Sequence, residues 1–273
     1  VKRILSVLLS LVLLTVFSAG ALAAGQSAAR QINYVAMGDS IAKGVLGGQP
    51  GTYSGGSDQG YTDVLMAKLQ SINRLGSCDL ESLTVSGMTS AQLAAYSTQF
   101  GNYPQIKNAN VITLTIGAND LLGPLYAYMG TVPVGSTQEQ ITQGFISNVL
   151  PTIQQDIAGK CKQVQGNILT ALTAIHKLNP KARVYIMGYY DPFPTLKRAY
   201  GVSMTPMVAL LNTNIVAAVA KAKLRGALVS YVDTYIPMAL CPDAYLAPLD
   251  IHPTVAGHRA IAAMFWTHMK PYL

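Results

Sequence analysis

Residues 111–116 form a short run of apolar and β-branched side chains that ends at a glycine, Gly117. A run this short and uniform fits a strand buried on both faces better than a helix, which needs more length and a mixed pattern. The same shape recurs along the chain. Residues 32–37 end at Gly38, residues 83–85 run into Ser86-Gly87, and 183–187 and 227–232 follow. Between them lie stretches with apolar residues at helical spacing: 61–75, 137–177, 206–224 and 255–269. Asn179-Pro180 closes the long central stretch, which reads as one long or broken helix. Strands alternating with helices predict a mostly parallel sheet covered on both faces, a three-layer α/β/α sandwich. Gly- and Pro-rich segments at 47–60, 122–137 and 191–194 read as loops.

In such a sheet, ligands gather beyond the carboxyl ends of the strands. Ser40, Gly87 and Asn119 each fall just after an expected strand, so one rim is expected to hold all three.

The N-terminus is read separately. Lys2 and Arg3 precede an apolar run, 4–17, and Ala21-Leu22-Ala23 forms an Ala-x-Ala cleavage site. This is the layout of a secretory signal peptide, residues 1–23, with a core shorter than the roughly 20 residues a bilayer span needs. The expectation is a secreted protein with one domain, 24–273, and no stable membrane insertion once the signal is removed. The formal net charge of +7 then falls to +5, because Lys2 and Arg3 leave and no acidic residue does. The remaining basic residues are scattered rather than striped, which argues against a nucleic-acid partner. Cys78, Cys161 and Cys241 have no zinc-site spacing. In an exported chain, one disulfide with one thiol left over is one reading, with the pair left open, and three reduced thiols is the other. The sequence leaves the oligomeric state open too.

Serine becomes a useful nucleophile when a base takes its proton, the base is held by a partner, and donors await the developing oxyanion. Ser40 stands in Gly38-Asp39-Ser40, where a glycine permits a tight turn off the sheet. The glycine-flanked elbow of α/β-hydrolases is absent, since Ala42 stands where its last glycine belongs. Asn119, in Gly117-Ala118-Asn119-Asp120, offers an amide donor, and Gly87 offers an unhindered backbone N–H. His252, in Asp250-Ile251-His252-Pro253, precedes the last helix and can act as base and then acid near neutrality. Taken singly, each of these is as readily a turn or capping residue. His176, His258 and His268 fall in helical patterns and read as structural or surface residues.

Gly-Asp-Ser near the start, then Gly87, then Gly-x-Asn-Asp, then His-Pro near the end resembles, in that order, the SGNH (GDSL) hydrolase family. The segment 184–194, with Tyr189-Tyr190-Asp191-Pro192, is similar to its bacterial extracellular members. The resemblance covers nearly all of residues 24–273. It implies a flavodoxin-like α/β/α fold and ester hydrolysis without a cofactor or metal. By the same resemblance, Ser40 is the nucleophile and His252 the base. The Ser40 and Gly87 N–H groups and the Asn119 side chain form the oxyanion hole.

One departure stands out. The family pattern places an acid three residues before the histidine, where this chain has Leu249; Asp250 is two before. Asp250 is the expected orienting acid through a shifted loop, with Asp243 or a backbone carbonyl as alternatives, the latter leaving a Ser–His dyad. The loops 45–60, 121–136 and 191–207 are expected to frame the pocket with Tyr53, Tyr126, Tyr128, Phe193, Met204 and Met207. Such a lining suits lipid or short-chain acyl esters. Acetylated carbohydrate is the alternative substrate within the same fold. A non-catalytic surface-binding protein is the alternative of another class, favoured only if a catalytic residue were missing.

Overall fold

The structure is a computed structural model and describes residues 30–49, 52–72 and 75–273. The expected signal peptide, 1–23, lies outside the described residues. The chain builds a five-stranded, all-parallel sheet in the order β2-β1-β3-β4-β5, from β1 (Arg30–Gly38), β2 (Leu75–Thr84), β3 (Val111–Thr115), β4 (Arg183–Met187) and β5 (Val229–Val232). Every residue of β3 is buried, as its position at the centre of a covered sheet requires.

Helices α1 (Tyr61–Gln70), α2 (Ser90–Tyr96), α3 (Asn119–Met129), α4 (Gln138–Gly144), α5 (Leu150–Gln155), α6 (Ile157–Leu178), α7 (Pro194–Tyr200), α8 (Thr205–Leu224) and α9 (Val255–Met269) alternate with the strands. Helices α1 and α9 pack together as one layer, and α2, α6 and α8 as the other. The Tyr61 ring stacks on Phe265 at 4.9 Å to join α1 to α9, and its hydroxyl donates to Thr113 at 3.2 Å inside β3. This is the three-layer α/β/α sandwich expected from the alternating pattern.

Four expectations shift. The segment expected as loop at 122–137 begins with helix α3, which runs through Gly123 and Pro124. Proline costs an interior helix one N–H bond, but burial of Leu121 and packing of Leu125 on the core override that local signal. The strand expected at 83–85 is ten residues long. As an edge strand it keeps one half-exposed flank and needs no apolar run. The loop at 191–207 contains α7, and the glycine-rich 47–60 a helical turn, Thr52–Gly55. Of the two cysteine readings, three free thiols is the one found: Cys78 is on strand β2, Cys161 is buried in α6, and Cys241 follows the short helix after β5. The stretch after Thr137 is the broken alternative: α4, a π-helical turn (Phe145–Val149), α5, and then α6 beyond a non-helical Asp156.

Chain connections reverse direction between β1 and β3, with β2 on one side and β4–β5 on the other. A reversal of this kind opens a crevice at the carboxyl ends of the two central strands. Ser40 follows β1 and Asn119 follows β3, so both stand at that crevice.

Candidate active site

Strand β1 ends in register with Thr115 of β3. Gly38 has φ +121, and a Cβ there would lie 1.9 Å from the Thr115 carbonyl oxygen, so only glycine fits. The turn that follows is pinned by a buried carboxylate. Asp39 accepts the Thr115 hydroxyl at 2.6 Å, the Tyr189 hydroxyl at 2.6 Å and the Ile41 N–H at 3.0 Å. Burial pushes the Asp39 carboxyl above its usual range, and these donors oppose that shift. The adjacent Ser40 is held in place at the rim, nearly buried, and its carbonyl accepts the Val45 N–H at 3.0 Å.

Ser40 Oγ lies 2.9 Å from His252 Nε2, and His252 Nδ1 lies 2.8 Å from Asp250 Oδ1. A carboxylate only accepts, so Nδ1 carries the proton toward Asp250 and Nε2 is left to accept from the serine. Asp250 Oδ1 also accepts the His252 backbone N–H at 3.0 Å, and Oδ2 accepts the Gly48 N–H at 2.9 Å. The off-register acid reaches the ring because Leu249 takes the left-handed conformation, φ 53, which is rare for a residue with a Cβ. That turn occurs at the position where the resemblance expects the acid. Asp243, the alternative acid, instead forms an exposed ion pair with Arg198.

The loop carrying His252 is fastened to the loop carrying Ser40. The Gly47 N–H donates to the Pro253 carbonyl at 2.8 Å, and a Cβ on Gly47 would meet the His252 carbonyl oxygen at 2.2 Å. The Tyr190 hydroxyl donates to the Ile251 carbonyl at 2.9 Å. Tyr189 and Tyr190, consecutive after β4, thus tie the Ser40 turn and the histidine loop to the same strand end. His258 is fully buried and holds the Val45 end of the serine loop. Its Nε2–H donates to the Val45 carbonyl at 2.9 Å, and Nδ1 accepts the Tyr61 N–H at 3.2 Å. Burial pushes this imidazole down from 6.5 to about 4.

The Asn119 side chain is oriented at both ends. Its Nδ2 donates to the Met88 carbonyl at 3.0 Å, and its Oδ1 accepts the Tyr126 hydroxyl at 2.7 Å. An amide NH₂ has two hydrogens, so the one not given to Met88 is the one an oxyanion would use. Next to it, Asp120 accepts the N–H and hydroxyl of Ser90 at 2.8 and 2.6 Å, which locks the start of α2 beside α3. Gly87 sits in the turn before α2 with φ +80, exposed, and does not line the crevice beside Ser40.

Two cavities meet at Ile251 and His252. A narrow crevice of about 80 Å³ has Ser40 and Asn119 in its wall, with Leu122, Met204, Met207 and Leu211. A wider cavity of about 340 Å³ is lined by Leu125, Tyr128, Ile141, Phe145, Phe193 and Leu249, with His252 and Asp250 at one end. Of the expected pocket residues, Tyr126, Tyr128 and Phe193 face the wide cavity and Met204 and Met207 the narrow one. The Tyr53 side chain lies outside the described residues.

Asp39, Asp120, Tyr189 and Tyr190 stand in the quoted motifs, but their bracing roles and the Tyr126–Asn119 bond were not foreseen from the sequence. The available signal was position: each follows a strand of the same rim directly or within one helical turn or two.

The model of a family described as GDSL-like Lipase/Acylhydrolase matches residues 36–260. No curated protein matches the chain. Among solved structures, a lipase from a goat rumen metagenome is 21% identical, with a TM-score of 0.57 over 87% of this chain and 96% of that one. Phospholipase A1 from Streptomyces albidoflavus is 20% identical, with a TM-score of 0.57 over 88% and 99%. An acetylxylan esterase from Geobacillus stearothermophilus is 16% identical, with a TM-score of 0.56 over 88% and 94%. At these identities the likeness is one of fold.

Proposed function

The chain belongs to the GDSL-like lipase/acylhydrolase family, and from that membership we propose that it hydrolyses apolar carboxylic esters through an acyl-enzyme on Ser40. The observation that carries this reading is the line of hydrogen bonds from Ser40 through His252 to Asp250, opening onto apolar walls.

The chemistry follows from that line. His252 Nε2 takes the proton as Ser40 Oγ attacks the ester carbonyl carbon. The negative charge that develops on the carbonyl oxygen is met by the Asn119 N–H not given to Met88, with the backbone N–H of Ser40 as the further donor. Asp250 holds the ring in the right tautomer and stabilises it once protonated. The bond from carbonyl carbon to alcohol oxygen then breaks, and Nε2–H gives its proton to the departing oxygen. Water, deprotonated by the same nitrogen, attacks the acyl-serine, releases the acid and restores Ser40.

Both cavities have few polar groups, which favours an ester with alkyl or acyl chains over an acetylated sugar, whose hydroxyls need partners. The experiment is hydrolysis of a panel of p-nitrophenyl and alkyl esters beside acetylated xylo-oligosaccharides. The expected result is turnover of the apolar esters that is lost in Ser40→Ala. A strong preference for the acetylated sugar overturns the substrate class. Failure of the folded protein to hydrolyse any ester overturns the enzyme in favour of a binding protein. The apolar run after Lys2 and Arg3 supports action outside the cell after removal of residues 1–23.

A further inference from the structure

We infer that the wide cavity takes the alcohol side of the ester, so that the substrate carries its long alkyl chain on the leaving group and only a short acyl chain on the carbonyl. The inference rests on the acyl-enzyme reading above and adds a direction to it.

The positions that the reacting atoms must take fix this direction. The carbonyl carbon must lie against Ser40 Oγ, and its oxygen against the Asn119 amide. Both residues belong to the wall of the narrow crevice, and neither lines the wide cavity. The departing oxygen must lie within reach of His252 Nε2, which delivers its proton. His252 lines both cavities, and with Ile251 it forms their junction. The acyl chain, bonded to the carbonyl carbon, therefore extends from Ser40 into about 80 Å³. The group on the departing oxygen extends past His252 into about 340 Å³.

Walls and floor support the same occupant. Phe145 and Phe193 meet edge to face at 5.4 Å and, with Leu196 and Ile141, make a surface that accepts methylenes and offers little to a hydroxyl. The narrow crevice is closed in by Ile153, Met207, Val208 and Leu211, all buried core residues of α5 and α8. Lengthening an acyl chain there means displacing packed core, whereas lengthening the alcohol fills existing space.

Isomeric esters test this directly, because total apolarity is held constant. Hexyl acetate and ethyl hexanoate are isomers in which the six-carbon and two-carbon parts are exchanged between the alcohol and acyl sides. The expected result is a kcat/KM for hexyl acetate at least about tenfold above that for ethyl hexanoate. Ile141→Trp, which fills the wide cavity, is expected to bring that ratio close to one. Met207→Ala, which opens the narrow crevice, is expected to lower the ratio by raising turnover of ethyl hexanoate. Equal rates, or a preference for ethyl hexanoate in the wild-type protein, overturn the direction while leaving the acyl-enzyme standing. A ratio that Ile141→Trp leaves unchanged overturns the assignment of the cavity. Absence of hydrolysis of both isomers and of ethyl acetate overturns the acyl-enzyme reading itself.

Discussion

Asp250 Oδ1 lies 2.8 Å from His252 Nδ1 and 3.0 Å from the His252 backbone nitrogen, so one carboxylate oxygen fixes both the ring and the chain that carries it. The geometry depends on the left-handed turn at Leu249, one residue earlier. Asp250→Ala is expected to lower kcat/KM by roughly 10³-fold or more, by analogy with loss of the acid in other serine triads. Asp243→Ala, which breaks only the exposed pair with Arg198, is expected to leave kcat/KM close to wild type. Steady-state kinetics on one p-nitrophenyl ester checks both. Near-wild-type activity in Asp250→Ala would reduce the triad to a Ser–His dyad.

Tyr126 orients the Asn119 side chain. Its hydroxyl holds Asn119 Oδ1 at 2.7 Å and so turns the amide hydrogens toward Met88 and the crevice. Asn119→Ala is expected to cost roughly 2.7–4 kcal/mol of transition-state stabilisation. Tyr126→Phe removes one hydrogen bond rather than the donor, so its expected cost is about 1 kcal/mol, or several-fold. The loss is expected in kcat with KM little changed, since the oxyanion forms after binding. Comparing kcat and KM for the two variants checks this, and a Tyr126→Phe effect confined to KM would make Tyr126 a wall residue only.

Gly47 sets the distance between the serine and histidine loops. A Cβ at this position would meet the His252 carbonyl oxygen at 2.2 Å, so Gly47→Ala must push the histidine loop outward. Overpacking of this kind costs about 1–3 kcal/mol of stability. Activity is expected to fall further than stability explains, because the Ser40–His252 bond is the contact displaced. Thermal unfolding together with kcat/KM at a temperature where the variant is folded separates the two losses. A folded variant with wild-type kcat/KM would mean the loop has slack.

His258 makes stability depend on pH. In the folded state its imidazole is neutral, pushed down from 6.5 to about 4 by burial, with the Val45 carbonyl opposing. The unfolded chain binds the proton near 6.5, so this contribution is complete above that pH and is lost as pH falls from about 6.5 toward 4. Its size is roughly 3 kcal/mol, from about 1.36 kcal/mol per pKa unit. Urea unfolding of wild type and His258→Gln across this window is the measurement. The variant is expected to lose stability less steeply; equal slopes would mean that His258 is not the group responsible.

How much of this was legible in the chain follows from where each signal lies. Strand β3 is apolar or β-branched throughout and β4 is apolar or aromatic after Arg183, because both are covered on both faces, so 111–116 and 183–187 were readable. Strand β2 has one neighbour and a half-exposed flank, and eight of its ten residues were not read as strand. Helix α3 was hidden by Gly123-Pro124, since local propensity argued loop while packing decided helix. The rim positions of Ser40 and Asn119 were legible because strand order dictates them. The bond from Tyr189 to Asp39 joins residues 150 apart, and no local pattern carries it. Asp250 was readable as a candidate, but its reach to His252 turns on the backbone of Leu249, and a leucine gives no sequence signal for a left-handed conformation.

The central claim is that Ser40 is the nucleophile and His252 its base. Intact-mass and peptide mapping after treatment with a fluorophosphonate test it most directly, because serine attack on phosphorus releases fluoride and leaves a stable adduct. One adduct per chain is expected, on the peptide containing Ser40, absent in Ser40→Ala and formed at least about 10³-fold more slowly in His252→Ala. A folded wild-type protein that takes no label, or an adduct that persists in Ser40→Ala, would contradict it.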